Sequence, residues 1–256
     1  MQVFTFTLFL CFASSIDSAP YCTSENQNLC CLRQFYDAAY VSKFDCTKSY
    51  AFFSNDLAAQ HTAFKVGKDC FLQVISAECT PKQFDLISTE YDDFFTTLTT
   101  KPLNDSNCTS DYYEYNFLKC VPMNLQVSRN VLKFLQDNVD QNDPSLMKFL
   151  DLCDDTAKCF ANVQHGCNTM DKAAEMISLR DFIEIKNSAF LACALKIEKE
   201  RPDMSGYKCL GGTNYYALGD FIKLMSTKKL CTKKIYESIC GNATGYNFDK
   251  FAEYSF

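Results

Sequence analysis

The sequence predicts an all-α, disulfide-rich helical bundle built as two related helical parts. Apolar residues recur at helical spacing along most of the chain, and no run alternates in the manner of a strand. The cysteines form two ladders. Cys193, Cys209, Cys231 and Cys240 are separated by 16, 22 and 9 positions, and Cys30, Cys46, Cys70 and Cys79 by 16, 24 and 9.

The elements follow in order. Leu32, Phe35, Tyr36 and Ala39 make one face of a helix within 29–44. Residues 49–66 continue the habit with Phe53, Leu57 and Phe64, and Cys70, Val74 and Cys79 bracket a short helix that Pro81 ends. Phe84, Ile87, Tyr91, Phe94 and Leu98 predict a single helix over 82–98. The segment KPLNDSN at 101–107 reads as a linker, because Pro, Asn, Asp and Ser cluster there. Leu125, Leu132, Leu135 and Val139 form the next apolar face. The acidic run at 137–144 lacks the glycine and the twelfth-position glutamate of a calcium loop, so it reads as a turn in which Asp143 caps a helix opening at Pro144. That helix carries the narrowest stripe: Leu146, Phe149, Leu150, Cys153, Ala157 and Phe160. Gly166 ends it.

A helical region from Thr169 to Glu200 is expected to break near Arg180-Asp181, with Phe182, Ile185, Ala189 and Cys193 on one face of its second part and Pro202 beyond it. A glycine-bearing turn then leads to a helix using Leu218, Phe221, Ile222 and Met225. Cys231, Ile235 and Ile239 form a last short helix, and the tail from Gly241 reads as loop followed by an aromatic strip.

The opening residues MQVFTFTLFLCFASS are apolar, too short to span a bilayer, and end in small residues, as a cleaved secretory signal does, although no Lys or Arg follows Met1. Ser15, Ser18 and Ala19 are each compatible with the cut. The layout expected is a signal peptide over 1–19, a shorter cysteine-rich helical unit over 20–100, a linker over 101–107 and the main cysteine-rich helical domain over 108–256. No second long apolar run follows, so no membrane anchor is expected.

Of 16 cysteines the signal removes Cys11 and leaves 15. In an oxidising compartment these are disulfide candidates: Cys22, Cys30, Cys31, Cys46, Cys70, Cys79, Cys108, Cys120, Cys153, Cys159, Cys167, Cys193, Cys209, Cys231 and Cys240. Each ladder of four allows three connectivities. Cys153 and Cys159 stand on different sides of their helix and should bond to different neighbours. Sequons at Asn104, Asn107 and Asn242 agree with export and mark an extracellular glycoprotein.

Local texture supports a repeat, since KFDC at 43–46 matches GYKC at 206–209, and DCFLQVISAEC at 69–79 matches LCTKKIYESIC at 230–240. The order Leu150 with Cys153, then Cys159, Cys167, Phe190 with Cys193, Tyr207 with Cys209, and Cys231 with Cys240 resembles a nematode-expanded family of secreted, cysteine-rich domains of unknown function. The resemblance covers residues 108–250, with the first part a shortened copy. It implies a secreted, disulfide-bonded helical domain and brings no catalytic motif.

The chemistry-bearing residues point the same way. His61 and His165 stand apart, with no nucleophile motif beside either. The adjacent Cys30-Cys31 resembles the double cysteine of secreted phospholipases A2, but Leu32-Arg33-Gln34-Phe35 follows in place of their histidine. No C-x2-C pair marks a zinc site, Gly211-Gly212 opens no phosphate loop, and no metal or other cofactor is expected. A net charge of -6 without a clustered basic face speaks against nucleic acid, and Lys228, Lys229, Lys233 and Lys234 read as a solvated helix face. Phe94, Phe95, Tyr112, Tyr113, Tyr115 and Phe117 crowd around the linker and read as core packing, with an apolar cavity or a contact surface as the alternative.

The function expected is therefore a secreted, non-enzymatic extracellular binding module for a protein partner. The alternatives are a carrier of a lipid or other apolar small molecule and, last, a hydrolase. An odd number of thiols allows a disulfide-linked homodimer, and Cys108, inside a sequon and outside both ladders, is the candidate bridge. A dimer formed through Cys108 disappears from non-reducing gels in Cys108→Ser; a dimer that persists assigns the odd thiol elsewhere.

Overall fold

The structure, a computed structural model, describes residues 27–102, 110–137, 139–163 and 170–254. Among these residues there are twelve α-helices and no strand. The chain divides into two compact units. The first comprises the chain up to Asn130 together with Leu152–Ile177; the second comprises Val131–Asp151 and Ser178–Phe256.

In the first unit, α1 (Gln27–Tyr40) leads through a 3-10 turn, Asp45–Ser49, to α2 (Leu57–Val66), α3 (Lys68–Glu78), α4 (Pro81–Thr89) and α5 (Tyr91–Thr99). The helix expected over 49–66 starts only at Leu57. There Asp56 turns its carboxylate onto the amides of Ala58 and Ala59, the donors an N-terminus leaves open. The helix expected over 82–98 is two helices, because Glu90 leaves helical geometry (φ -107°, ψ 31°). Pro81 opens α4 instead of merely closing α3: Thr80 and Gln83 form a reciprocal capping box around it.

The core of this unit is aromatic. Phe35 stands 5.0 Å from Phe52 and 4.6 Å from Phe71, Phe52 stands 4.9 Å from Phe64, and all four are buried. Tilted and edge-on rings at these separations fill volume and gain favourable quadrupole contacts. The cystines Cys31–Cys79 and Cys46–Cys70 close around the cluster, the second nested within the first. The ladder therefore begins at Cys31, not Cys30, and Cys30 is itself disulfide-bonded.

The helix α6 (Asp111–Gln136) is longer than the 125–139 face implied, and it carries Pro122 within it. Its buried side chains include Val127 and Phe134, whereas Leu132 is exposed. Phe94 meets Tyr115 at 5.4 Å, and Tyr112, Tyr113 and Tyr115 are buried, so this crowd of rings is core. The helix α7 (Pro144–Val163) buries all six residues of its stripe and is capped by Asp143, whose carboxylate accepts from the Ser145 amide at 2.7 Å. Cys120–Cys159 staples α6 to α7, and Cys153 is fully buried.

The helix α8 (Met170–Lys186), of which the part from Ser178 belongs to the second unit, runs through Arg180-Asp181 unbroken. The interruption comes at Asn187-Ser188. The buried Asn187 amide donates to the carbonyls of Ile183 and Phe134 and accepts from the Val139 amide, and Ser188 caps α9 (Ala189–Glu200). The polar side chains thus satisfy the backbone that the break exposes. Two 3-10 turns, Lys208–Leu210 and Leu218–Asp220, precede α10 (Phe221–Met225) and α11 (Lys229–Cys240). The tail expected as loop is a helix, α12 (Ala243–Tyr254), which buries Thr244, Asn247, Phe248 and Ala252.

Here too an outer cystine, Cys193–Cys240, encloses an inner one, Cys209–Cys231. Phe190 packs on Tyr236, Phe251 and Phe248 at 4.8, 5.0 and 5.6 Å. The order helix, 3-10 turn, short helix, helix, helix thus recurs, with a second 3-10 turn ahead of the short helix in the second copy: α1 corresponds to α9, α3 to α11 and α4 to α12. The bonds fix the register, with Cys31, Cys46, Cys70 and Cys79 matching Cys193, Cys209, Cys231 and Cys240.

Gly67 joins α2 to α3 where no side chain fits. A Cβ there would lie 2.5 Å from the Ala63 carbonyl oxygen and 2.9 Å from the Phe52 ring. Gly67→Ala is expected to destabilise the protein by about 1–3 kcal/mol. Gly206→Ala, which meets nothing within 4 Å, should leave the thermal melting midpoint unchanged.

Candidate functional site

Of the two histidines, which no nucleophile motif accompanies in the sequence, His61 lies among the described residues. It is exposed at the side of α2, with its ring 4.6 Å from Phe95 and Nδ1 3.0 Å from the Thr99 hydroxyl. That hydroxyl also lies 2.9 Å from the Phe95 carbonyl, so one hydroxyl links the ring to the backbone of α5. The contacts hold the ring of His61 against α5. His165 lies outside the described residues, as do Cys22, Cys108, Cys167, Asn104 and Asn107. Asn242 is exposed just ahead of α12, and the hydroxyl of its sequon Thr244 is buried against the Gly241 carbonyl.

The first unit carries a recess of about 410 Å³. Ala39 and Tyr40 of α1, Phe53 and Asn55 of the following loop, Met123 of α6, and Asp155, Lys158 and Cys159 of α7 line it. Its position follows from the staple: Cys120–Cys159 holds α6 against α7 and fixes one wall. The floor is largely apolar, while Asp155 and Lys158 form an exposed ion pair at 3.5 Å. Burial, helped by the Asp155 charge, raises the Tyr40 phenol above its ordinary value, so it stays protonated and able to donate at neutral pH. A volume of this size is at the lower end of small-molecule sites.

Beside the recess α6 presents a buried polar face that sequence reasoning did not foresee. Gln60 donates to Asn116 at 3.1 Å, and Asn116 donates to the carbonyls of Leu98 and Tyr112. The Tyr36 phenol, fully buried near Gln60, is pushed above its ordinary value by desolvation. Lys119, 3% exposed, donates to the Ser54 carbonyl at 2.9 Å, and burial lowers its ammonium to about 8. The signal was present in the residues: Tyr112, Tyr115, Asn116 and Lys119 fall at 3, 1 and 3 positions, one helical face.

The second unit has a charged network between α8 and α12. Lys250 lies 2.9 Å from Asp181 and 2.5 Å from Glu184, and Arg180 pairs with both acids. A separate pair joins Lys233 and Asp249 at 2.5 Å. These groups pair off along helix faces, an arrangement suited to holding helices together.

A rigid helical protein framed by nested disulfides is the class these features define. The chain belongs to the family described as Domain of unknown function (DUF19), whose family model matches twice, over residues 14–109 and 108–255. The first part is therefore a copy in its own right. No curated protein and no solved structure matches the chain.

The α8–α12 network has a pH signature. Burial pushes the Asp181 carboxyl up, but Lys250 and Arg180 outweigh it and hold it below its ordinary value. Burial likewise works against the Lys250 ammonium, which Glu184 and Asp181 raise above its ordinary value. The Asp181 contribution is thus present above the unfolded carboxylate range and is lost as pH falls through the folded value; that of Lys250 is lost only at strongly alkaline pH. Lys250→Met is expected to cost about 1 kcal/mol at neutral pH. The melting difference between the wild type and this variant should shrink as pH is lowered from about 6 to 3.

Proposed function

We propose that the protein acts outside the cell as a non-enzymatic binding module for a protein partner. The observation that carries this reading is the cystine framework, five bonds whose partners lie among the described residues. Cystines in such number persist in oxidising surroundings, where a reducing cytosol would open them. They stiffen each unit by roughly 3–4 kcal/mol per bond through the unfolded chain. A stiff scaffold loses little freedom on binding and presents its exposed side chains in fixed positions. Large apolar side chains on the surface, Tyr246, Val41 and Leu195 among them, supply contact material. The apolar start of the chain and the exposed sequon at Asn242 support export, and the lack of a nucleophile motif beside either histidine supports a role without catalysis.

The recess of the first unit favours a second reading, a carrier for a small apolar molecule bearing a polar end. Ala39, Phe53 and Met123 would hold the apolar part, with Tyr40 and Lys158 at the polar end.

Native mass spectrometry of protein expressed in eukaryotic cells, before and after deglycosylation, separates these readings. The expected result is a processed, oxidised, ligand-free species in the medium carrying a glycan at Asn242. Retention of the chain inside the cell with reduced thiols overturns the extracellular reading. A retained apolar molecule that is lost in Phe53→Ala establishes the carrier instead.

A further inference from the structure

We propose that the corner formed by α10 and α11 docks onto an anionic phospholipid bilayer. The sequence placed Phe221 and Ile222 on a buried face, but Leu224 and Met225 fill the core and leave Phe221 39% and Ile222 65% exposed. Leu230, in the first turn of α11, is 76% exposed. The corner is tightly built: the Lys228 amide donates to the Lys223 carbonyl, and the Thr232 hydroxyl donates to the Leu224 carbonyl at 2.8 Å. Lys228 also reaches the Cys209 carbonyl, next to the Cys209–Cys231 bond. These apolar side chains therefore project from a fixed base.

Charge selects the partner. Residues 221–234 hold five lysines and no acid, in a chain whose net charge is -6. Asp249 occupies Lys229 and Lys233, and Asp220 accepts from the Asn214 amide at the neighbouring turn. Lys223 and Lys234 stand exposed. Exposed leucine, isoleucine and phenylalanine on a short stretch that also exposes Lys223 and Lys234 match the layered chemistry of a bilayer surface, with acyl chains beneath anionic headgroups. Three such side chains are too few for the core of a protein interface, which takes about 800 Å² from each partner.

The internal repeat supplies an independent comparison. With the inner cystines superposed in sequence, Leu230 stands where the first copy has Asp69, one residue before the cysteine. An acidic residue in the first turn favours the helix dipole, and α3 has one while α11 has none. The second copy thus gives up a helix-stabilising residue for an apolar one that water surrounds. Folding of α11 does not account for Leu230; contact with an apolar phase does.

This inference rests on the extracellular reading only for where such a surface is met, and a vesicle assay on purified protein tests the corner alone. The full chain, purified with its disulfides formed, is floated with phosphatidylcholine vesicles lacking or containing phosphatidylserine. Binding is expected only with phosphatidylserine and should fall at least about tenfold in the double variant Ile222→Ser, Leu230→Ser. Lys223→Glu with Lys234→Glu, and salt raised from about 0.1 to 0.5 M, should weaken it similarly. Val66→Ser, 66% exposed at the matching corner of the first copy, should bind as wild type. Unchanged melting of the double variant shows that lost binding is not lost folding. Failure to float with anionic vesicles, or equal flotation of wild type and double variant, overturns the proposal. Concentration-dependent dimerisation abolished by Leu230→Ser, or capture by polyglutamate without vesicle binding, makes the corner a protein contact instead.

Discussion

An inner cystine enclosed by an outer one is the constraint on which each unit depends. In the first unit the loop between Cys31 and Cys79 contains Phe35, Phe52, Phe64 and Phe71, so closing it gathers the aromatic core. Cys46–Cys70 then pins the 3-10 turn to α3 and holds Phe52, which lies outside any helix, against Phe64. The second unit uses the same closures differently. Phe190 and Phe248 lie just outside the Cys193–Cys240 loop and pack on Tyr236 within it, so its core straddles the outer bond. One frame tolerates two fillings because the bonds set where the helices run, while the rings decide how the space between them is occupied.

Much of this was legible from residues alone. The stripe of α7 and its Asp143-Pro144 start are local signals and appear where expected. The ladder spacings revealed the repeat but not its connectivity, since spacing cannot rank three pairings, and adjacency hid which of Cys30 and Cys31 belongs to the ladder. Breaks were harder. Glu90 interrupts a regular apolar period without a proline or glycine to mark it, and Asn187 ends α8 because distant carbonyls and an amide occupy its side chain. The helix α12 was missed although Thr244, Asn247, Phe248, Phe251 and Ala252 recur at helical spacing, for the eye stops at Gly241 and at the aromatic crowding.

The candidate sites divide along the same line. Ion pairs three or four residues apart could be read from the chain, but the recess could not, since Ala39, Phe53, Met123 and Cys159 meet only through tertiary packing. Nor could the solvent side of α10 be read. A five-residue helix between two turns is too short for periodicity to choose a face, and Leu224 with Met225 took the core that Phe221 and Ile222 seemed to claim. The buried face of α6 shows the opposite failure: its polar residues look suited to solvent, yet Asn116 and Lys119 enter the interior with backbone carbonyls as partners.

The boundary between the two family matches falls at residues 108–109, but the first compact unit also takes in residues up to Asn130 and from Leu152 to Ile177. This discontinuity orders events as the chain emerges from the ribosome. The partners in Cys46–Cys70 are 24 residues apart and can meet early, followed by those in Cys31–Cys79. The unit then remains open along the side that α6 covers until the strand of synthesis reaches Cys159 and α7 can be stapled in place. Some 80 residues separate Cys79, which completes the pair of cystines around the aromatic core, from Cys159, which completes the staple. The duplicated segment and the compact unit are thus different lengths of chain, and a cut between the two copies would leave the first copy without the α6–α7 staple that completes its unit.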